Sequence, residues 1–390
     1  MIKAEIVAHS LSLQGDELIS VLCTFPRIIL AEVNTHRMLS KNTSSSRAIP
    51  LSKMVESVET NPFIPIAWQK EHKGMQGFEY ITDKEQLEAL EKIWLYSRDE
   101  AVRSAKAISS GTFELDLGIK YNYGFKATKQ LANRLLEPFM WTTMLITGPR
   151  SGWDNFFNLR NPVYELKAGT VINNNSKDLF FKSWEDLVRF MKNNSNNESI
   201  INEYENKSLL ERLQINKGQA EIHIMDLAEK IYDAVNESKP KELKAGEWHI
   251  PFEDKIHIDG IQGIQFTLKD GSTEYHKAKW ITKAKVEIST AMAARTSYTV
   301  VGEEKDINYQ KMIDLHDRLI SQDPPHSSPM EHCAQAMSDE QYYTSFRGGM
   351  NGFTQYDTPK ILDTEYGWCR NFRGFIPYRH IIETKKYGDI

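Results

Sequence analysis

Cysteine is scarce in this chain of 390 residues. Only Cys23, Cys333 and Cys369 occur, and they form no C-x-x-C pair. Disulfide frameworks and thiolate zinc sites both depend on paired or closely spaced cysteines. The sequence therefore predicts neither of these two kinds of site, and we expect a reducing cytoplasm as the compartment.

Long apolar segments and a secretion signal are also missing. The first ten residues include Lys3, Glu5 and His9, whereas a signal peptide needs an uninterrupted apolar core. No segment is long and apolar enough to predict a membrane-spanning helix. Basic residues are not in excess, because 48 Lys and Arg face 53 Asp and Glu, a formal net charge of −5. We therefore expect no membrane partner and no general nucleic-acid partner.

Several catalytic and nucleotide-binding motifs are absent. The sequence has no G-x-G-x-x-G after a strand and no Walker A loop, which argues against Rossmann and P-loop sites. It has no clear Ser-His-Asp or Cys-His arrangement. The segment His326–His332 has two His and one Glu, but it lacks the H-E-x-x-H spacing. Pro329 also interrupts a helix that would place both His on one face, so we predict no metal centre.

The composition is that of a globular protein with a substantial core, with 40% hydrophobic and 26% charged residues. We predict a single domain over 1–390 that carries an Asn-rich surface insertion at 170–217. Alternating polarity and turn chemistry predict strands at 2–9 and 17–25. Helical spacing and end signals predict four helices. The first begins at Pro26, the second follows a capping box at 82–85, and the other two cover 126–146 and 219–235.

The most distinctive segment runs from Thr35 to Arg47 and contains one His, two Arg and several hydroxyl-bearing side chains. Arg offers a planar fork of donors for phosphate or carboxylate, and Ser and Thr hydroxyls can complete such a cradle. The segment therefore indicates an anion-binding site. A solvated helix end followed by a Ser-rich turn explains the same composition about equally well.

Three further clusters indicate chemistry, each with a structural alternative. Arg134 lies among apolar residues of a predicted helix, where an Arg can also simply lay its stem over the edge of a core. The segment Arg150–Arg160 interleaves Asn and Arg with aromatic residues, which suits a planar ligand but also a polar turn between packed rings. In the third, His326–His332, Pro329 fits the start of a helix capped by Ser327 or Ser328.

Together these clusters resemble the flavin-dependent thymidylate synthases. The family signature R-H-R-x-x-S-x-N-x-x-S-x-R-Y is matched by Thr35-His36-Arg37-x-x-Ser40-x-Asn42-x-x-Ser45-x-Arg47-Ala48. The family's H-x-[ST]-P-x-E-H element is matched by His326, Ser328, Pro329, Glu331 and His332. Shorter family elements are matched by Pro26, by Arg134 before Pro138, by Asn155–Arg160, by Gln219-Ala220-Glu221-Ile222 and by Ala294-Arg295-Thr296-Ser297.

The chain departs from the family pattern in two ways. The elements around Arg295 and His326 usually precede the R-H-R element, so their order here is cyclically rotated, which closely spaced termini make feasible. Thr35 stands where the family has Arg, and Ala48 stands where it has Tyr. Thr35 removes a charge that family members direct to flavin or folate. Long relatives with extra loops occur among bacteriophage proteins, which suits the Asn- and Lys-rich composition and would make the compartment a host cytoplasm.

The resemblance implies an α+β fold with a small, mainly antiparallel sheet flanked by long helices. It implies reductive methylation of dUMP to dTMP with FAD as cofactor and with NADPH and methylenetetrahydrofolate as co-substrates, in a homotetramer. The implied catalytic residues are Arg160, His326 and Ser45. The implied FAD-binding residues are His36, Arg37, Ser40, Asn42, Asn155, Ser328 and Glu331. The implied substrate-binding residues are Glu32, Ser45, Ser46, Arg47, Arg134 and Arg160.

Three other functions stay open on the sequence. A related flavin enzyme could produce a different pyrimidine nucleotide, for example by hydroxymethylation of dUMP. A non-catalytic nucleotide-binding homologue could keep the fold without turnover. A flavin-free synthase with a cysteine nucleophile is the third, although none of the three cysteines has an activating arrangement.

Overall fold

The structure is a computed structural model that describes residues 1–73, 77–114, 118, 120–169, 176–195, 197–258, 265–267, 272–275, 280–298, 301, 307–345 and 365–388. The first Asn cluster of the predicted insertion, at 173–175, lies outside the described residues.

Strands and helices alternate irregularly along the described chain. The strands are β1 (Lys3–Leu11), β2 (Glu17–Pro26), β3 (Ser40–Thr43), β4 (Thr112–Glu114), β5 (Lys120–Asn122), β6 (Trp141–Pro149), β7 (Tyr164–Leu166), β8 (Leu179–Phe181), β9 (Lys241–Glu242), β10 (Trp248–His249), β11 (Gln265–Thr267), β12 (Thr273–Tyr275), β13 (Ala334–Ala336), β14 (Trp368–Cys369), β15 (Phe372–Arg373) and β16 (Phe375–Pro377). The helices are α1 (Leu30–Asn34), α2 (Leu51–Thr60), α3 (Lys84–Ser110), α4 (Lys129–Arg134), α5 (Arg150–Arg160), α6 (Trp184–Asn194), α7 (Glu198–Glu205), α8 (Leu209–Ile215), α9 (Ile222–Glu237), α10 (Ile281–Arg295), α11 (Tyr309–Ser321), α12 (Asp339–Thr344) and α13 (Tyr378–Tyr387).

A five-stranded sheet in the order β3-β6-β2-β1-β9 forms the centre of the fold. All its pairs are antiparallel except β1 with β9. Strands β2 and β6 are buried along most of their length, as expected for the middle of a covered sheet. Helices α5 and α9 contribute Trp153, Phe156 and Leu227 to the main hydrophobic core. This architecture confirms the predicted α+β class with a small, mainly antiparallel sheet.

Several sequence predictions of single elements are confirmed. Strands β1 and β2 match the predicted positions, with Gly15 at φ 85° in the turn between them, a backbone conformation that glycine adopts without strain. Helix α3 begins close to its predicted start, and α9 begins and ends close to its predicted bounds. The N-cap of α3 is Asp83, whose side chain accepts a hydrogen bond from the Gln86 amide, so the predicted capping box that starts at Thr82 is one residue too early.

The predicted helix over 126–146 is wrong in its second half. Helix α4 ends at Arg134, a short 3-10 turn covers Glu137–Phe139, and β6 begins at Trp141. Pro138 lacks an amide hydrogen and interrupts helical hydrogen bonding, and the Thr-rich, apolar residues after it favour a strand. An apolar run of this length fits a buried strand or a helix equally well by periodicity. The sheet decides in favour of the strand, because β6 pairs with both β2 and β3.

Two smaller predictions also need correction. The polar segment after α1 was expected to be a helix end and loop, but Ser40–Thr43 form edge strand β3. Residues Ser328–Glu331 form a 3-10 turn, and Ser327 precedes it without a side-chain capping bond. Within the described residues, no helix combines the length and apolar character needed to cross a bilayer.

The described residues of the Asn-rich region have a small hydrophobic core of their own. Trp184, Leu187, Met191 and Ile201 are buried there together with Tyr164 and Leu166 of β7. The region is held to the main body through Glu229 of α9, whose carboxylate accepts hydrogen bonds from the Trp184 amide at 2.6 Å and the Tyr164 hydroxyl at 3.1 Å.

Candidate active site

The residues Ser40–Arg47, called the site segment below, begin as edge strand β3 and continue into a turn. Ser40 and Asn42 are buried, because alternate residues of the strand face the protein interior. Gly148 of β6 makes room for the residue before the strand, since a Cβ atom at this position would lie 2.3 Å from Cδ2 of Leu39. The strand is therefore fixed in place by close packing at its start.

Asn42 connects the site segment to two remote parts of the chain. Its side-chain amide donates a hydrogen bond to the carbonyl oxygen of Ala293 near the end of α10. Its side-chain oxygen Oδ1 accepts a hydrogen bond from the Ser328 hydroxyl at 3.2 Å. These partners lie 251 and 286 residues away along the chain. Two of the segments that resemble the family elements therefore meet at β3.

The turn at the end of the site segment is tied to the same helix end and to α4. The Ser44 hydroxyl donates to the Thr296 carbonyl at 3.1 Å, and the Ser45 amide donates to the Ser297 carbonyl at 3.1 Å. The side-chain amide of Asn133 donates to the Ser46 carbonyl at 2.7 Å. This bond places α4, and with it Arg134, beside the turn.

Two exposed guanidinium groups belong to residues next to the contact that anchors this turn. Arg47 follows Ser46 and is exposed, and the Arg134 side chain is 54% exposed. Glu137 lies 4.0 Å from Arg134 and 3.1 Å from Arg27, and Arg27 in turn donates to the Ser44 carbonyl at 3.0 Å. Both exposed groups can therefore reach an anion in solvent while their backbones are held still.

Arg160, the last residue of α5, makes the most directional contacts of the site. Its Nε–H donates to Nε2 of His36 at 3.1 Å, and its Nη2 donates to the Thr35 hydroxyl at 3.4 Å. Its Nη1 lies 3.5 Å from the Glu32 carboxylate. Three residues at the end of α1 thus orient the guanidinium. The Arg160 side chain remains 22% exposed.

His36 is buried and electrically neutral near pH 7. Burial, the Arg160 guanidinium and the Lys41 ammonium lower the pKa of His36 to about 4. The neutral ring can accept the Arg160 hydrogen bond at Nε2, which an imidazolium could not. Its ring also packs edge-to-face on Phe156, with centroids 4.8 Å apart. His36 therefore orients Arg160.

The site also contains Lys41 and Glu221, to which the sequence prediction gave no role, near Glu32, which was predicted to bind substrate. Burial lowers the pKa of Lys41 to about 8, and its ammonium donates to the His36 carbonyl. Burial and the nearby Glu221 carboxylate raise the pKa of Glu32, while Arg160 opposes this shift. Glu221 also caps α9 by accepting from the His223 amide at 2.8 Å. The only sequence signal for Lys41 and Glu221 was their position inside the matched elements.

Among the described residues, other candidate side chains make no hydrogen bond or ion pair to the site segment. Asn155 and His326 are exposed, and no hydrogen bond or ion pair joins their side chains to the site segment in the described part of the chain. Glu331 pairs with Arg379 of α13. Arg37 is exposed, and its carbonyl accepts from Asn371 at 3.4 Å. The structure therefore brings together Glu32, His36, Ser40, Asn42, Ser45, Ser46, Arg160 and Ser328.

The two histidines of the His326–His332 segment lie in different environments. His332 is fully buried, and its Nδ1 lies 2.9 Å from the Thr147 hydroxyl. Burial lowers the pKa of His332 to about 3, so it stays neutral over the physiological range. His326 is exposed at the surface. The two rings thus differ completely in access to solvent.

The donor set fits a phosphate-bearing ligand. Arg37, Arg47 and Arg134 are exposed guanidinium groups, and such groups bind phosphate oxygens in bidentate geometry. FAD and dUMP both carry phosphate, so the chemistry of these donors suits either group. Buried Ser40 and Asn42 hold the strand in place behind them.

No protein-family model and no curated protein sequence matches the chain. Among solved structures, the chain is similar to a UMP/dUMP methylase, PolB from Streptomyces cacaoi, bound with 5-Br dUMP, at 13% identity and a TM-score of 0.31 over 44% of this chain and 82% of that chain. A second structure of PolB from Streptomyces cacaoi, bound with 5-Br UMP, gives 16% identity and a TM-score of 0.30 over 41% of this chain and 77% of that chain. Similarities of this size do not establish a shared family or activity.

Proposed function

We propose that the protein is a flavoenzyme that methylates dUMP reductively to dTMP, with FAD as cofactor and NADPH and methylenetetrahydrofolate as co-substrates. The observation that carries this proposal is the double contact of Asn42 with Ala293 and Ser328. It joins three segments that resemble family elements but are far apart in the sequence. The Arg160–His36 bond adds a fourth segment to the same place.

In this proposal, Arg47 and Arg134 bind the dUMP phosphate. They directly follow Ser46 and Asn133, whose hydrogen bond fixes the turn. Ser45 and Ser46 would complete the cradle with hydroxyl and backbone donors, since phosphate oxygens accept several hydrogen bonds at once. Glu32 orients Arg160 and would lie next to the pyrimidine ring.

Arg160 is the proposed catalytic residue. Methylation at C5 of uracil by way of hydride delivery places negative charge on the ring carbonyl edge. A guanidinium already held by His36, Thr35 and Glu32 can stabilise that charge without reorganising during the reaction. Neutral His36 accepts from Arg160 without adding a second positive charge beside the guanidinium.

The residues proposed to hold FAD act in two ways. Arg37 and Asn155 are exposed and could contact the cofactor directly, whereas buried Ser40 and Asn42 and half-buried Ser328 would support it from the protein side. His326, exposed two residues before Ser328, would lie at the folate entry, and Glu331 would act on the cofactor through Arg379. When bound, the flavin supplies the hydride for the reaction. We extend the proposal to a homotetramer, because the family builds each site from several subunits.

The proposal is tested by turnover of dUMP with FAD, methylenetetrahydrofolate and NADPH, followed by mass spectrometry of the nucleotide product. We expect dTMP, visible flavin absorbance in the purified or FAD-reconstituted protein, and loss of product formation in Arg160→Gln. A 5-hydroxymethyl-dUMP product would replace the synthase by a hydroxymethylase on the same site. Absence of flavin binding and of any nucleotide product, together with retained dUMP binding, would identify a non-catalytic nucleotide-binding protein.

A further inference from the structure

A second cluster of chemically active side chains lies outside the candidate active site, between α10 and α11. It consists of Glu287 on α10 and of His316 and Asp317 on α11. One potential ligand atom from each residue lies within 4.8 Å of the other two. Glu287 and His316 are buried, and the Asp317 side chain is 43% exposed. The cluster therefore has a closed interior and one side open to solvent.

The Glu287 carboxylate has one oxygen that lacks a partner. Its Oε1 lies 3.5 Å from the Lys283 ammonium one turn earlier on the helix. Its Oε2 is buried and has no hydrogen-bond partner among the described residues. A buried polar atom without a partner costs free energy. A cation at this oxygen would remove that cost.

His316 supplies the second potential ligand of the cluster. Its Nε2 lies 3.1 Å from the Tyr378 hydroxyl of α13, and the two rings stack with centroids 5.8 Å apart. When Nε2 carries the proton and donates to Tyr378, Nδ1 is left as an acceptor, 3.0 Å from the Asp317 carboxylate. A donor bond from the second ring nitrogen is the usual way in which proteins orient a metal-binding His. Two acceptors at this distance require a proton or a cation between them.

We propose that Glu287, His316 and Asp317 bind one divalent transition-metal ion, with Zn²⁺ as the preferred ion. Imidazole nitrogen and carboxylate oxygen are both zinc ligands, three protein ligands leave the fourth position to water, and the imidazole disfavours Mg²⁺ and Ca²⁺. Metal–ligand bonds of about 2.0–2.2 Å require ligand atoms roughly 3–4 Å apart, so the side chains need to approach by only about 1 Å. The exposed side of Asp317 provides the entry path and the water position.

The metal would fix helix α10 to α11. Helix α10 also provides the Ala293 carbonyl that accepts from Asn42, six residues after Glu287. At about 1.5 Å of rise per residue, the metal position lies roughly 9 Å along the helix from that carbonyl. Its role is therefore to stabilise the support of the site segment. The proposal does not depend on the proposed function of the site.

The test uses full-length, tag-free protein that has been treated with chelator and then titrated with Zn²⁺, and with Co²⁺ as a spectroscopic probe. We expect one equivalent of metal to bind per chain and to raise the unfolding temperature. Bound Co²⁺ should show the visible absorption bands of an ion with nitrogen and oxygen ligands. Glu287→Gln and Asp317→Asn preserve shape and should weaken binding by about 100-fold. Asp314→Asn, on the exposed face of the same helix, is the matched control and should bind like the wild type.

Two results would overturn the proposal. One is wild-type protein that retains no metal while its circular dichroism shows a folded chain. The other is equal affinity in the wild type and in both ligand variants, because the ion would then bind elsewhere. Circular dichroism in chelator checks that each variant is folded. Asp317→Asn gives a readout even if Glu287→Gln is unstable, because Asp317 is partly exposed. None of these measurements uses dUMP turnover, so their failure is distinct from failure of the proposed function.

Discussion

The Nε–H of Arg160 donates to Nε2 of His36 across 3.1 Å, which joins the end of α5 to the start of the site segment. This bond requires a neutral imidazole, and burial, Arg160 and Lys41 together keep the pKa of His36 at about 4. The orientation of the proposed catalytic guanidinium therefore depends on the protonation of a residue that need not touch the substrate.

The stability of the protein should fall with acid over the range in which His36 is charged only when unfolded. An unfolded His has a pKa of about 6.5, so the unfolded chain binds more protons than the folded one between roughly pH 6.5 and 4. The contribution of neutral His36 to the free energy of unfolding is complete above pH 6.5 and is lost as the pH falls toward about 4. Chemical denaturation at a series of pH values measures it.

The variant His36→Gln should reduce this pH dependence. His249 and His332 have pKa values lowered by burial to about 3, and they add to the same acid slope. We therefore expect a shallower slope in the variant, and an unchanged slope would contradict the neutral, buried state of His36. With Arg160 less firmly held, turnover should fall by about 100-fold, as expected for a misplaced catalytic group.

Phe156 and Phe157 provide a matched pair of core substitutions. Both side chains are almost completely buried, but Phe156 packs on His36 at 4.8 Å whereas Phe157 packs on Tyr232 at 5.2 Å. Phe156→Leu and Phe157→Leu should each lower the free energy of unfolding by about 1 kcal/mol. Only Phe156→Leu should also change turnover. Equal effects of both variants on turnover would show that packing on His36 has no special role.

The free energy of unfolding should be sensitive to the replacement of one group in the Asn133 side chain. Its side-chain amide is buried and donates to the carbonyls of Ser46 and Ile49 at 2.7 and 3.0 Å. Asn133→Asp would direct a carboxylate at two carbonyl oxygens, so we expect a loss of about 2–4 kcal/mol in the free energy of unfolding. Asn202→Asp on the exposed face of α7 is the control and should be nearly neutral. Denaturant titration of both variants measures the difference.

Arg47→Ala and Arg134→Ala should separate binding from stability. Both side chains are exposed, so each variant should unfold within about 0.5 kcal/mol of the wild type. Loss of one charge-assisted hydrogen bond of about 1.5–3 kcal/mol should weaken dUMP binding by about 10- to 100-fold. Lys92→Ala on the exposed face of α3 is the control. Calorimetric titration with dUMP that gave equal affinity for all three variants would place the phosphate elsewhere.

The sequence alone determined those elements whose local patterns were unambiguous. Alternation with a Gly-containing turn defined β1 and β2, and long helical periodicity defined α3 and α9, because side-chain spacing follows directly from backbone geometry. The α+β class was confirmed as well. The strand at Trp141–Pro149 was missed, since an apolar run fits both structures until neighbouring strands supply hydrogen bonds.

The candidate site divides in the same way between sequence and structure. The resemblance of short motifs to the family elements identified Asn42, Arg160 and Ser328 as candidates, because such motifs keep their residue types in any order along the chain. Only the tertiary structure decided that Asn42 joins Ala293 to Ser328 and that Arg160 is held by a neutral His36. Contacts between residues more than a hundred positions apart, and the pKa values that burial sets, arise from packing and have no local signal in the sequence.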